Sequence, residues 1–295
     1  MPVSRTLYAN TDFPLHVVFD GGKAHRYTVN GEVWPGVTSA DKALDFGKSD
    51  AFAWWSANLY RDYLYLNWPV DPGTGQPRYV APSEAVALIE EGRKQHAAKK
   101  QAAADIGTEV HRWIEAHIKA SLSFGDDPPT PSGEQARNSV LAFLELEQSR
   151  RVIYHGTEVM VASREHRYIG TMDAACALAE VDGVLTVEDH KTSDALRLSF
   201  RPQLAAYAMA WNEEHPEQQA WRRQVNLLSK VDGKPTVVDL CYPGETDEES
   251  TRYDFEAFLR ALWLTGWGKK AKDQLDKVVK EKYVPPVAWA KGINA

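Results

Sequence analysis

RYIGTMDAACALAEVDGVLTVEDHK, Arg167 to Lys191, reads as two strands joined by a tight turn. The first strand carries Asp173 and the second ends in Asp189-His190-Lys191. Strand side chains alternate between faces, so Asp189 and Lys191 share one side while His190 points to the other. Val181-Asp182-Gly183 has the form of a three-residue hairpin loop with Gly at the left-handed position. Such a loop puts Asp173 directly opposite Lys191, on the face of Asp189. A two-residue Asp182-Gly183 turn puts Asp173 on the other face unless a bulge intervenes. The three-residue loop thus gathers two carboxylates and one ammonium, a candidate metal site with a lysine beside it.

Outward from this hairpin, Glu158 to Ala162 is a further strand, and Pro202 stands near the start of a helix, where proline is tolerated. In that helix Gln203 and Tyr207 are one turn apart on the same face. Residues 221–242 return to strand character around an Asp232-Gly233 turn. Tyr253 to Trp267 forms an amphipathic helix followed by the charged helical tail KKAKDQLDKVVKEK. On the N-terminal side, Pro82 to about Ala120 is helical and contains His111 and Glu115 at i,i+4, beside an apolar stripe of Val110, Trp113 and Ile114. GDDPPTPSGE breaks that helix, and residues 134–150 resume with Val140, Leu141 and Leu144 as the apolar face. Residues 15–34 alternate as short strands with turns at Gly21-Gly22 and Asn30-Gly31. Thr38 or Ser39 caps one helix, Ser49 or Asp50 a second, and DPGTGQPRYVAPS is a loop.

At 295 residues with 43% hydrophobic and 25% charged residues, the chain is of ordinary globular composition with enough length for a substantial core. No apolar run approaches the roughly 20 residues that span a bilayer, and the N-terminus has no signal-peptide apolar region, so a cytoplasmic, membrane-free location is expected. Two cysteines, Cys176 and Cys241, lack metal-type spacing and make no disulfide framework. A net charge of −7 argues against a bulk basic surface, so any nucleic-acid contact must come from local patches. The basic stretch at 93–100 is one such patch, although a solvated helix face is its default use. There is no internal repeat or low-complexity linker, and one domain is expected over residues 1–295: an N-terminal β/helical region to 100, a core at 101–245 and C-terminal helices from 246.

Asp173 and Asp189 supply the oxygen ligands that a hard divalent cation prefers, and the carbonyl of His190 could add another. Lys191 would stand near an attacking water or a phosphate oxygen, where fixed positive charge stabilises developing negative charge. An Asp–Lys cross-strand pair at a surface, worth under about 1 kcal/mol, explains the triplet Asp189-His190-Lys191 equally well when taken alone. The ordered set decides between them. Gly107-Thr108 with His111, Gly170-Thr171-Met172-Asp173, Asp189-His190-Lys191-Thr192-Ser193 and Gln203 with Tyr207 follow one another in that order.

Together these motifs resemble the RecB-like branch of the PD-(D/E)xK nuclease superfamily, over residues 26 to 267. Gly36-Val37-Thr38-Ser39 with Trp54-Trp55 looks like the N-terminal signature of the phage and mitochondrial-genome-maintenance exonucleases of that branch, and the Phe255-Glu256-Ala257-Phe258-Leu259 helix also looks familiar. The resemblance implies an α/β fold with a restriction-endonuclease-like core: a central mixed sheet flanked by helices, with N-terminal helical and short β additions. It implies Asp173 and Asp189 as acidic ligands, His111 as an auxiliary ligand, Lys191 as the catalytic lysine, and Gln203 and Tyr207 bracing the lysine or contacting the DNA backbone. Thr192 and Ser193 fall at the rim and Glu158 in a supporting position. By parity Glu188 is turned away from the Asp189 face, and Glu115 is a helix-surface partner. Met172 replaces the proline of the superfamily name. Relatives with an iron–sulfur cluster use four cysteines, which two cannot supply.

The expected activity is a metal-dependent deoxyribonuclease, an exonuclease acting on DNA ends or single strands, with two Mg²⁺ or Mn²⁺ ions and no iron–sulfur cluster. A recombination or single-strand-binding protein is a possible partner. The rivals are a structure-specific endonuclease on the same fold and a non-catalytic DNA-binding module. Aromatic residues such as Trp54 and Trp55 could stack bases, although core packing accounts for most of the ten tryptophans.

Overall fold

The computed structural model describes residues 3–22, 26–44, 48–178, 183–193 and 195–282, with the side chains of 41–42, 48–56, 93, 95–96 and 278–282 left undescribed. Val181, Asp182, Trp54 and Trp55 are therefore outside what is described, in whole or in their side chains.

Four short strands open the chain as an antiparallel sheet in sequence order: β1 (Val3–Leu7), β2 (Leu15–Asp20), β3 (Arg26–Val29) and β4 (Glu32–Trp34). Asn30 and Gly31 join the last two with φ of 48° and 85°, the pair of left-handed residues that a type I′ hairpin requires. Val37–Ala40 then forms a 3₁₀ turn, followed by α1 (Asp41–Leu44) and α2 (Lys48–Asn67). Ser39, expected as a helix cap, lies inside that 3₁₀ turn and donates its hydroxyl back to the Gly36 carbonyl at 2.6 Å. Ser49 and Asp50 lie among the undescribed side chains.

Two helices precede the second sheet. The first, α3 (Pro82–Ser121), begins on a proline whose missing N–H costs nothing there and ends where Gly125 and the prolines beyond it cannot continue a helix. The second, α4 (Glu134–Arg150), stops at Arg151 in the left-handed conformation. Its buried face is Ala136, Ser139, Val140, Phe143 and Leu146. Leu141, expected in the apolar face, is exposed, because Phe143 and Leu146 occupy the stripe that meets the sheet.

The five-stranded mixed sheet runs in sequence order: β5 (Val152–Ser163), β6 (Tyr168–Leu178), β7 (Leu185–Lys191), β8 (Arg222–Leu228) and β9 (Pro235–Asp239). Every neighbouring pair is antiparallel except β7 and β8, which are parallel and joined through α5 (Phe200–Glu214). A parallel pair needs such a crossover, and α5 lies on the sheet through a run of buried alanines. The last helix, α6 (Asp247–Lys282), packs its Phe255, Phe258 and Ala261 against the same face.

The sheet separates two cores. One holds α5, α6 and the 3₁₀ turn against Val161, Tyr168, Met172, Val187 and Val225. The other holds α3 and α4 against Tyr154, Ala174, Cys176 and Leu228. A third core joins the two sheets through Val17, Val29 and Trp34 packed on Met160, Ala162 and Ile169. Gly36 forms a parallel bridge to Ile169 at this junction. No helix among the described residues is long and apolar enough to cross a membrane.

Candidate functional site

The site forms where β6 and β7 part. Their ladder runs from Ala177↔Leu185 to Ala174↔Glu188 and stops there. Beyond that point β6 pairs only with β5, and β7 only with β8. Continuing the register puts Asp173 level with Asp189, two residues from the pairing with Lys191 that a three-residue loop implies. The connection is longer than that loop: β6 ends at Leu178, β7 begins at Leu185, and the Gly183 N–H bonds back to the Leu178 carbonyl at 3.2 Å. A shift of two residues preserves parity, so Asp173 and Asp189 stay close enough to interact electrostatically, although Asp189 is not among the residues whose ligand atoms gather within 4.8 Å.

Asp173 also sits on a kink. Tyr168 and Met172 pack towards α5 and α6, whereas Ala174 and Cys176 pack towards α3 and α4. The alternation of β6 slips at Asp173. Opposite it, Glu158 has φ of 49°, and the two drop out of the ladder between Thr157↔Ala174 and Val159↔Met172. A left-handed non-glycine residue costs about 1–2 kcal/mol, a strain that collects at functional sites. Here it turns a second carboxylate to Asp173.

The third arm comes from α3. His111 Nδ1 stands 3.5 Å from Asp173 Oδ2. One ligand atom each from His111, Glu158 and Asp173 lies within 4.8 Å of the others, a spacing that could hold a metal ion. Gly107, one turn earlier, faces Thr192: a Cβ there would sit 3.4 Å from the Thr192 hydroxyl, so the absence of a side chain lets α3 approach the end of β7. Glu115 bonds to Lys119 on the helix surface, as its position suggests.

On β7, Lys191 donates to Asp189 Oδ1 at 2.6 Å, while Asp189 Oδ2 is buried with no hydrogen-bond partner among the described residues. The Lys191 ammonium also lies 5.3 Å from the centre of the Phe200 ring. The His190 backbone N–H donates to Asp173 Oδ2 at 2.8 Å, tying the two strands together where their ladder ends. Its ring points the other way, stacks edge-on against Phe143 and lies 3.9 Å from Glu188. The contact that His190 makes with the cluster is through its backbone N–H, rather than through the carbonyl expected as a further ligand. Glu188 is fully buried on that far face, as its parity requires.

Electrostatics follow from crowding three carboxylates away from water. Burial, with Asp173 and Glu115 adding repulsion, pushes Glu158 up to about 7 against the pull of Lys119 and Arg5. Burial raises Asp189 to about 6, with Lys191 opposing and Asp173 reinforcing the rise. Asp173 is the exception: burial raises it, but His111, Lys191 and the His190 N–H together hold it below the usual carboxylate range. Burial lowers the His190 ring to about 4, so it stays neutral. One carboxylate is thus firmly ionised and two are poised for positive charge.

Gln203 donates its amide to the Tyr207 hydroxyl at 3.3 Å, and both side chains are buried, at 7% and 4% exposure. That burial suits bracing from below rather than contact with an open backbone. Burial raises the Tyr207 phenol, and the negative charge of Asp189 and Asp173 adds to the effect. Tyr207 fits because residue 170 is glycine: a Cβ there would come within 2.5 Å of its ring and 2.9 Å of Val37.

No family model matches this chain. No curated protein matches it. Among solved structures, one described as "Crystal structure of SSO0001" is similar over 54% of this chain and 72% of that chain, with 14% identity and a TM-score of 0.26, a likeness too slight to bear on fold or site.

Glu158 is the residue that sequence reasoning undervalues. Ser163↔Tyr168 closes the β5–β6 turn, and equal steps back to Glu158 and forward to Asp173 make the two neighbours. The signal lies in that count, but the closing pair is not visible in the sequence. Thr192 and Ser193 are half-buried beyond β7, consistent with a rim. In the basic stretch, Lys94 is bonded to Glu91 at 2.9 Å, and Lys99 and Lys100 are exposed.

Proposed function

We propose that this chain is a metal-dependent deoxyribonuclease, an exonuclease working from ends or on single strands, built on a restriction-endonuclease-like core. The observation that carries the proposal is the convergence of His111, Glu158 and Asp173 beside an Asp189–Lys191 pair at 2.6 Å. A structural Asp189–Lys191 pair alone needs neither the second and third acids, Asp173 and Glu158, nor the imidazole that gathers with them. The donor set suits a hard divalent ion, Mg²⁺ or Mn²⁺: carboxylate oxygens with one imidazole. His111, Glu158 and Asp173 would hold it, and Asp189, outside that group and bonded to Lys191, would serve a second ion that shares the carboxylates. Such an ion, when bound, supplies Lewis acidity and a water of lowered pKa.

The chain's own groups do the rest. Lys191, anchored by Asp189 and 23% exposed, keeps an ammonium where a non-bridging phosphate oxygen gains charge. Tyr207 and Gln203, both buried and bonded to each other, would brace the site from beneath, within electrostatic reach of Asp189 and Asp173. The His190 N–H fixes the Asp173 carboxylate through Oδ2, with ligand atoms of His111 and Glu158 within 4.8 Å of it.

The test is degradation of end-labelled linear single- and double-stranded DNA, with a closed circle alongside, by wild type and Lys191→Ala in Mn²⁺. Loss of the linear substrates with wild type, sparing of the circle, and inactivity of the variant are expected. Cleavage of the circle would convert the proposal to an endonuclease. Absence of cleavage of any DNA in Mn²⁺ and in Mg²⁺ would overturn it in favour of a binding module.

A further inference from the structure

Helix α6 carries a feature that the site does not use. Trp263 and Trp267 are 65% and 56% exposed, although they are among the most costly side chains to leave in water. Their rings are nearly parallel, at 13°, with centroids 6.3 Å apart. They point away from the body, because α6 is seated through other residues: Ala261 is buried in the α5/α6 core and the Thr265 hydroxyl reaches the Ser39 carbonyl. Arg260, Trp263, Trp267, Lys270 and Lys277 recur at helical spacing along one stripe, which extends for about 25 Å from end to end.

The charge of the helix changes along its length. From Lys269 to Lys282 there are six lysines and three acids, in a chain whose net charge is −7. Lys269, Lys270 and Lys272 make no ion pair among the described residues, whereas Arg260 is already bonded to Glu256 at 3.4 Å. Two parallel aromatic faces followed by a lysine-rich stretch, in which Asp273 stands between Lys270 and Lys277, match a ligand that alternates planar rings with anionic links. We infer that this stripe of α6 binds single-stranded nucleic acid, bases stacking on Trp263 and Trp267 and phosphates meeting Lys270 and Lys277. Base stacking on exposed aromatics and a tracking row of cations together give sequence-tolerant binding. A duplex offers no free base faces along its length, so the single strand is the occupant. A second copy of the chain fits less well, since it would bring the lysines of two identical stripes together. This inference deepens the nuclease proposal, but its test is independent of cleavage.

The measurement is fluorescence anisotropy of a labelled oligothymidylate in EDTA, where no divalent ion is available. Wild type is expected to bind, and Trp263→Ala/Trp267→Ala to weaken binding about tenfold or more at fixed salt. Lys270→Ala/Lys277→Ala is expected to flatten the dependence of affinity on salt. All four side chains are exposed, so the variants should melt at the wild-type temperature. Equal affinity of wild type and the tryptophan variant would overturn the inference. So would a wild-type dimer in sedimentation that the tryptophan variant abolishes while oligonucleotide binding is unchanged. Binding in EDTA that depends on the tryptophans, in a protein that cleaves nothing in Mn²⁺, would leave this surface standing and remove only the nuclease.

Discussion

Replacing Glu158 by Gln is expected to make the metal-free protein more stable while depriving it of its response to metal. Glu158 is pushed up from 4.5 to about 7, first by burial and then by Asp173 and Glu115. A carboxyl held above its unfolded value binds its proton more tightly in the folded chain. Its stabilising contribution is complete below the unfolded value and disappears as the pH rises towards 7. Above that, an ionised Glu158 penalises folding by roughly 3 kcal/mol, at about 1.4 kcal/mol for each pH unit that separates its folded and unfolded values. Gln keeps the shape and removes the charge. In metal-free buffer near pH 8, Glu158→Gln should therefore raise Tm by several degrees, at about 2–4 °C per kcal/mol for a chain of this size class. Near pH 4, where wild-type Glu158 is protonated, the two proteins should melt together. Mn²⁺ should raise the wild-type Tm at pH 8 and move the variant much less, because binding to the folded state alone is what stabilises. Scanning calorimetry across pH, with and without Mn²⁺, reads both effects. A variant less stable than wild type at pH 8 without metal, or one that gains as much from Mn²⁺, would refute the reasoning.

Three further outcomes follow from named contacts. His111→Ala should leave the metal-free stability within about 1 kcal/mol of wild type, since the ring is 31% exposed, yet reduce the Tm rise that Mn²⁺ produces in the same melt. Gly170→Ala forces a methyl against Tyr207 and Val37 and should cost about 1–3 kcal/mol in urea unfolding, with DNA cleavage falling as the floor of the site is displaced. Asp254 bonds the buried Arg223 at 2.9 Å and Arg201 at 3.1 Å, so Asp254→Ala should destabilise by about 3–5 kcal/mol, a loss that the same unfolding curve records as a lower midpoint.

Where the sequence carries local chemistry, it can be read closely. The helix over 134–150, the proline-led helix from Pro82, the Asn30-Gly31 hairpin and the parity of Asp189, His190, Lys191 and Glu188 all depend on neighbours along the chain, and the structure has them where spacing places them. What depends on pairing between strands is less visible. The β6–β7 register differs by two residues from the one a three-residue loop implies, because loop length is not written in the turn residues alone. Glu158 reads as a supporting residue because its approach to Asp173 needs a left-handed backbone at 158 and a kink at 173, and no local propensity announces either. Leu141 and Phe143 lie on nearly opposite faces of the helix, and only the position of the sheet decides that Phe143 is the buried one. Composition likewise does not tell which tryptophans pack and which stay outside: Trp113 is buried, whereas Trp263 and Trp267 are not.

The bond from the His190 N–H to the Asp173 carboxylate has a practical use. Most strand amides report on a ladder, which opens only when the sheet does. This one is held by a side chain, so its proton resonance and its exchange with solvent follow the orientation and charge of a single carboxylate. It lies between two strands that have already parted. A ¹⁵N-labelled sample would therefore carry its own indicator of site occupancy. One cross-peak should move when Asp173 changes partners, while the amides of Ala174 and Glu188, a step away in the intact ladder, hold still.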